Sequence, residues 1–285
     1  MLIIIGILIV LVSVVVGFLI AGGNLILLLQ WAEFLVIGGA ALGSFIIATP
    51  ISKIKKVAKS IPEAIKGEKF SKEDYLELLK SFNDLFLVAQ RDGLLSIESH
   101  IENPNESEIL SRSKKFINNS YMKNFFCDTM KIMLSGSVPP HELESLMDME
   151  IETFEVENHP VAQSLAKVGD SLPGLGIVAA VLGIIVTMSH IDAGAATVGA
   201  HVAAALVGTF LGVLLSYGFV NPLSVSIENL NEHKLRQLET IKATILAYAK
   251  GNPPIIAVEI ARRTIFSDER PTFSELENYM RGKTE

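Results

Sequence analysis

The sequence predicts an all-α polytopic membrane protein: four transmembrane helices, a helical cytoplasmic domain between the second and third, and a helical cytoplasmic C-terminal tail. Three observations lead there. Of 285 residues, 49% are hydrophobic and 19% charged, with a mean hydropathy of +0.42, too apolar for an ordinary soluble domain. The apolar residues are clumped into four stretches, roughly 2–20, 32–49, 172–190 and 202–220, each close to the length that crosses a hydrocarbon core. Between them, apolar residues recur at helical spacing and strand signals are almost absent.

None of the four stretches contains Lys or Arg, and the only acid is Glu33, one residue inside the second. The first lacks a basic n-region and an Ala-x-Ala-like cleavage site, so it reads as a retained helix. The loops 21–31 and 191–201 carry no Lys or Arg. Lys53, Lys55, Lys56, Lys59, Lys66 and Lys69 follow the second stretch, and Lys234, Arg236, Lys242, Arg262 and Arg263 follow the fourth. The positive-inside rule places both termini and the long 50–170 segment in the cytoplasm. The expected organisation is 1–50 as transmembrane helices 1 and 2, 51–170 as the cytoplasmic domain, 171–222 as helices 3 and 4, and 223–285 as the cytoplasmic tail.

Ile51, Ile54, Val57 and Ile61 recur among lysines, a pattern suited to a basic helix lying on membrane lipid. Ser71 with Asp74 forms a capping-box pattern, and 72–92 follows with Leu76, Leu79, Phe82 and Phe86 before Gly93. Asn105 and Glu108 make a second capping pair. Ser120 to Leu134 is a further amphipathic helix, closed by Gly136. Pro139 and Pro140 open a long acidic helix with Leu143, Leu146, Ile151 and Phe154 as its apolar positions. Helices near 223–250, 254–266 and 272–281 complete the tail.

Several function classes find no support. With 24 basic against 31 acidic residues the net charge is −7, which argues against a nucleic-acid partner. A single cysteine, Cys127, removes a disulfide framework and reads as a buried hydrophobe. No phosphate-cradling glycine loop occurs, and the His141–Glu142 pair lacks a second histidine at 145, which is Ser. His190 and His201 flank the short outer loop, where histidines commonly just hydrate. Nothing argues for an enzyme, a cofactor or a resident metal.

The membrane helices offer small residues instead. The third span carries Pro173, Gly176, Ala180, Gly183 and Thr187; the fourth carries Ala205, Gly208, Thr209, Gly212 and Ser216; the second carries Gly39 and Gly43. Such stripes let helices approach closely, and two of them in one hairpin, bordered by Asp170, could equally line a hydrated path or seat a partner's helix. Ion transfer needs an ionisable group near the midplane. The spans offer none there, so a conducting assembly would take its carboxylate from another protein. Pro173 and Pro222, at the cytoplasmic ends of spans three and four, are either plain helix boundaries or hinges.

At these residues the chain resembles the stator A subunits of bacterial flagellar motors, within the wider MotA/TolQ/ExbB family. The likeness runs through Ile101-Glu102-Asn103-Pro104 and Glu106-Ser107-Glu108-Ile109, then Val168-Gly169-Asp170-Ser171-Leu172-Pro173 with its extension to Ala180. It continues in Leu206-Val207-Gly208-Thr209-Phe210-Leu211-Gly212, Tyr217-Gly218-Phe219 to Pro222, and Pro253-Pro254 through Glu259 to Arg270-Pro271. The resemblance implies an inner-membrane ion channel of five A chains around two MotB-type chains. Those partners are expected to supply one span with the ion-carrying aspartate and a peptidoglycan-gripping domain. It implies that inward ion flow becomes torque on the rotor's switch-complex protein, FliG, for swimming.

Carried over by position, Pro173 and Pro222 look like the torque-coupling prolines. Pro173, Gly176, Ala180, Thr209 and Gly212 look channel- or partner-facing. Sodium-driven relatives tend to carry threonine where this chain has Ala180, which favours a proton as the transported ion. Glu98 falls on the family's acidic rotor-contact position. The basic one matches Gln90, with Arg91 next to it, and Glu150 is a further candidate. Two rival readings are an ExbB- or TolQ-like energiser of outer-membrane transport, whose relatives have three spans and begin outside, and a non-conducting membrane scaffold.

Overall fold

The computed structural model describes residues 2–67, 69–136 and 138–282; the outermost residues of the first and last expected segments, 1 and 283–285, lie outside these. Every regular element among the described residues is helical. Four helical stretches are long and apolar enough to cross a membrane: Leu2–Ile20, Leu25–Ala48, and portions of Pro140–Met188 and Ala195–Ala249. The chain divides into two units, residues 1–68 with 157–230 and residues 69–156 with 231–285. The division falls within two of its helices.

The first unit contains α1 (Leu2–Ile20), α2 (Trp31–Ala48), α3 (Ile51–Lys66), the C-terminal part of α8 (Pro140–Met188), α9 (Ala195–Leu215) and the start of α10 (Asn221–Ala249). Its inner cluster joins Ile37 and Ala41 of α2 to Leu172 and Ala179 of α8 and to Val207 and Leu211 of α9. A second cluster packs Val57 and Ala64 of α3 onto Val161 and Ala162 of α8 and onto Ile227 and Leu230 of α10. The α3 lysines flank this buried stripe, and Lys56 pairs with Glu157 at 2.8 Å. Gly67 ends α3 in the left-handed region, φ 64°, where a β-carbon is disfavoured. α1 buries no residue within the chain, as expected of a helix with lipid around it.

The second unit is built around α4 (Lys72–Asp92). Ser71 and Asp74 form the full capping box, and Gly93 stops the helix with φ 91°. Eight apolar side chains from Tyr75 to Ala89 are buried along α4. Phe82 stacks on Phe126 at 4.3 Å between centroids and meets Phe116 edge-on at 5.4 Å; Phe86 stacks on Tyr248 at 4.1 Å. Each fully buried ring is worth about 1.5–3 kcal/mol in removed apolar area, so this cluster is the unit's principal anchor. The short α5 (Glu98–Glu102) and α6 (Lys114–Asn118), then α7 (Ser120–Leu134), α11 (Pro254–Arg262) and α12 (Phe273–Met280), complete it.

Two expectations change. The Asn105–Glu108 pair starts no helix: Asn105 Oδ1 accepts from Lys123 Nζ at 2.9 Å, and the cap of the next turn is Ser107, whose Oγ accepts from the Leu110 amide at 3.0 Å. The acidic helix and the third span are one element, since α8 runs unbroken through Pro160 and Pro173. A proline removes one backbone donor, and the buried residues on either side, Val161, Ala162 and Leu172, hold the helix through the gap. Pro173 is therefore not a helix boundary. Pro222 likewise lies inside a continuous helical run, Ala195–Ala249, directly after a π-helical turn at Ser216–Val220.

Candidate functional site

The α8/α9 hairpin meets along its glycines. A β-carbon at Gly176 would lie 2.7 Å from Gly208 O, and one at Gly212 would lie 2.5 Å from Leu172 O and 2.9 Å from Gly176 Cα. These distances are too short for any side chain, so Gly176 and Gly212 form the helix–helix seam itself. Ala180 is buried beside them, while Thr209 and Pro173 are half-buried. Thr187 is buried and donates its hydroxyl to Gly183 O at 2.8 Å.

Glu33 departs most from expectation. It sits in the first turn of α2, yet it is only 8% exposed. Its carboxylate reaches into the seam: a β-carbon at Gly208 would lie 2.4 Å from Glu33 Oε2, and one at Gly183 would lie 3.5 Å from Oε1 and 2.8 Å from Ala205 Cβ. Gly183 is five residues, or about 7 Å at 1.5 Å per residue, in from the α8 end at Met188. The membrane unit thus holds a carboxylate of its own inside the hairpin. Sequence position misled here because a glutamate side chain carries its charge well away from its own Cα. The signal that points to it is an acid in the first turn of α2 together with glycines at 183 and 208.

At the other end of the hairpin the polar groups gather. Asn221 Nδ2 donates to Asp170 Oδ1 at 3.1 Å and to Ser216 Oγ at 3.4 Å, and buried Ser224 donates to Ala162 O at 2.8 Å. A β-carbon at Gly169 would coincide with Asn221 Oδ1, 1.9 Å away. π-helical turns concentrate at functional positions, and this one is bounded by Asn221 and Pro222.

In the other unit, Gln90, Arg91, Glu98 and Glu150 are all exposed. Gln90 and Arg91 end α4, and Glu98 begins α5 beyond a single 3-10 turn at Leu94–Ile97, so three of the four share one corner. Arg91 is paired with Asp92 at 2.7 Å, and its guanidinium holds the Asp92 carboxyl below the usual carboxylate range. Glu150 lies elsewhere, on α8, with its carboxyl pushed up by burial and by Asp128. Where α8 passes into α9, the rings of His190 and His201 stand 5.8 Å apart, and among the described residues no third ligand joins them into a metal site.

Residues 4–93 match the family described as Motility protein A N-terminal, and residues 117–240 match the MotA/TolQ/ExbB proton channel family. The chain is 42% identical over 282 residues to Motility protein A of Salmonella typhimurium, covering 99% of this chain and 96% of that one. The chain belongs to the MotA/TolQ/ExbB proton channel family. Within that family it is equally similar, 42% over 282 residues with the same coverage, to Motility protein A of Escherichia coli K12. Its fold follows the structure of Campylobacter jejuni MotAB, with a TM-score of 0.79 at 22% identity, covering 95% of this chain and 98% of that one.

Proposed function

We propose that this chain is the A subunit of a flagellar motor stator, which with a MotB-type partner forms an ion channel whose flow drives rotation. The observation that carries this is full-length similarity to motility protein A at 42% identity, with the sealed glycine hairpin lying within the residues that match the MotA/TolQ/ExbB proton channel family. The assembly is five A chains around two B chains in the inner membrane, with both termini cytoplasmic. The apolar stripe of α3 packs on α8 and α10, and its lysines lie towards the cytoplasmic lipid headgroups.

In this reading the partner's span docks on the hairpin face that carries Thr209 and Pro173, both still half-exposed within the single chain. Ala180, Gly176 and Gly212 support that face from behind. Each cation crossing yields about 2.3 kcal/mol per 100 mV, enough to switch contacts between near-degenerate arrangements but not to unfold a helix. Pro173 within α8 and Pro222 after the π-helical turn are where such a change passes into the cytoplasmic helices. The corner of Gln90, Arg91 and Glu98 meets the rotor's switch-complex protein. With Arg91 already tied to Asp92 and Gln90 neutral, Glu98 carries most of the free charge of that corner. The transported ion is a proton.

The test is deletion of the gene followed by inspection of filaments and swimming in the same cells. Normal filaments on paralysed cells, with swimming restored by this chain, support the stator; a protonophore then stops them and sodium removal does not. Swimming cells with a defect in outer-membrane uptake would transfer the chain to the transport-energiser class.

A further inference from the structure

The geometry points to a proton-binding site that belongs to this chain itself: Glu33, seated between Gly183 of α8 and Gly208 of α9. This deepens the stator reading, on which only its place in ion flow rests. Three observations carry it. First, an acid in the first turn of a helix ordinarily folds back onto its own N-terminal amides, yet the start of α2 has no side-chain cap. Secondly, Glu33 is more than nine-tenths buried, and its Oε2 has no hydrogen-bond partner among the described residues. Thirdly, the space it fills depends on a missing β-carbon: alanine at 208 would stand 2.4 Å from Oε2, while the close approach of α8 and α9 beside it depends on Gly183, where a β-carbon would meet Ala205 at 2.8 Å.

The surroundings also select the ion. A sodium ion stripped of water needs a shell of several oxygens to replace its hydration. Gly183 and Gly208, which border the Glu33 carboxylate, and the Ala205 and Ala179 methyls packed on them have no side-chain oxygen. The Thr187 hydroxyl, one turn further along α8, donates its proton to Gly183 O at 2.8 Å. A lone carboxylate can hold a proton with a single O–H bond and no further ligand. The chemistry is one proton taken up at a carboxylate oxygen and later given back, with nothing oxidised or reduced.

The test is infrared difference spectroscopy of the full chain, co-expressed with its MotB-type partner and reconstituted in lipid vesicles, for the wild type and Glu33→Gln. Glutamine keeps the size of the side chain, so the hairpin still packs, and assembly is checked by the yield of the intact complex. The expected result is a protonated-carboxyl C=O band that shifts in D2O, is unmoved when sodium replaces potassium, and is lost in Glu33→Gln. Gly208→Ala should move the same band, because the added methyl displaces the carboxyl. A spectrum identical in wild type and Glu33→Gln overturns the site, as does a Glu33 band that responds to sodium. If the wild-type chain fails to restore swimming to a deletion strain, the stator reading falls while the infrared result stands.

Discussion

Asn221 donates its side-chain amide to Asp170 Oδ1 at 3.1 Å and in doing so joins α8, three residues before Pro173, to the first residue of α10. The same amide's Oδ1 is buried without a hydrogen-bond partner among the described residues and occupies the place where a β-carbon on Gly169 would be. One asparagine thus fixes the spacing of the two helices at the level where both prolines enter. Above it, the π-helical turn at Ser216–Val220 absorbs an extra residue in the ladder, which gives the helix a point of adjustable geometry.

Because Gly169 and Asn221 compete for one volume, Gly169→Ala and Asn221→Ala should damage the same contact from its two sides. Each is expected to lower the midpoint of thermal dissociation of the assembled complex, with a loss of about 1–3 kcal/mol from overpacking or a broken polar contact. The double variant should lose less than the sum of the singles, since alanine at 221 vacates the space that alanine at 169 needs. Additive losses would show that the two residues do not share that volume.

The glycines of the hairpin are not equivalent. Gly176→Ala and Gly212→Ala place a methyl against backbone atoms, Gly208 O at 2.7 Å and Leu172 O at 2.5 Å, which cannot rotate away; at Gly174 nothing lies within 4 Å. The first two should reduce assembled complex in the membrane and cost about 1–3 kcal/mol, with Gly212→Leu abolishing assembly. Gly174→Ala should leave it unchanged. Quantitative blotting of membrane fractions separates these outcomes, and an assembly defect in Gly174→Ala would point to a contact outside the single chain.

What could be read from sequence was what is written in consecutive residues. The four spans are uninterrupted apolar runs, and α4 announces itself by Ser71, Asp74 and Gly93. Cys127, taken as a buried hydrophobe, is indeed 4% exposed, and burial pushes its thiol up to about 11. The unbroken α8 could not be read so, because local preference stops a helix at proline while tertiary packing on both sides of Pro160 and Pro173 carries it through. Asn105 carries a capping pattern, but its oxygen is taken by Lys123, eighteen residues away. The Glu33 seat is composed of three helices whose residues lie far apart in the chain. The stripes at Gly183 and Gly208 were visible as small residues, but what they make room for is visible only once the helices are packed.

Glu98 and Glu73 provide a matched pair for the rotor contact. Both are exposed glutamates of the same unit, so reversal of either charge is expected to change stability by less than about 0.5 kcal/mol. Glu98 shares its corner with Gln90 and Arg91; Glu73 sits at the opposite end of α4. Glu98→Lys should at least halve the swimming speed, and Glu73→Lys should leave it near normal at equal stator abundance. Equal losses from the two reversals would remove the assignment of Glu98 to the rotor face.

Acid should weaken the second unit at one identifiable place. Glu259 accepts two bonds from Arg262, at 2.7 and 2.8 Å, and one from Arg263 at 3.1 Å. These hydrogen bonds, Arg262's foremost, hold its carboxyl below the ordinary 4.5 against the opposing effect of burial. A carboxyl lowered in the folded state stabilises it above the unfolded value, and that contribution is lost as the pH falls through the folded value. The full chain with Glu259→Gln should therefore melt earlier than wild type at neutral pH, by about 1–3 kcal/mol for charge-assisted bonds. The gap should begin to close below 4.5 and vanish once wild-type Glu259 is itself protonated. Thermal melts of the two proteins across that range measure the gap directly. A difference that stays constant into strong acid would mean the Arg262 cluster acts through packing of its side-chain stems and not through the charge on Glu259.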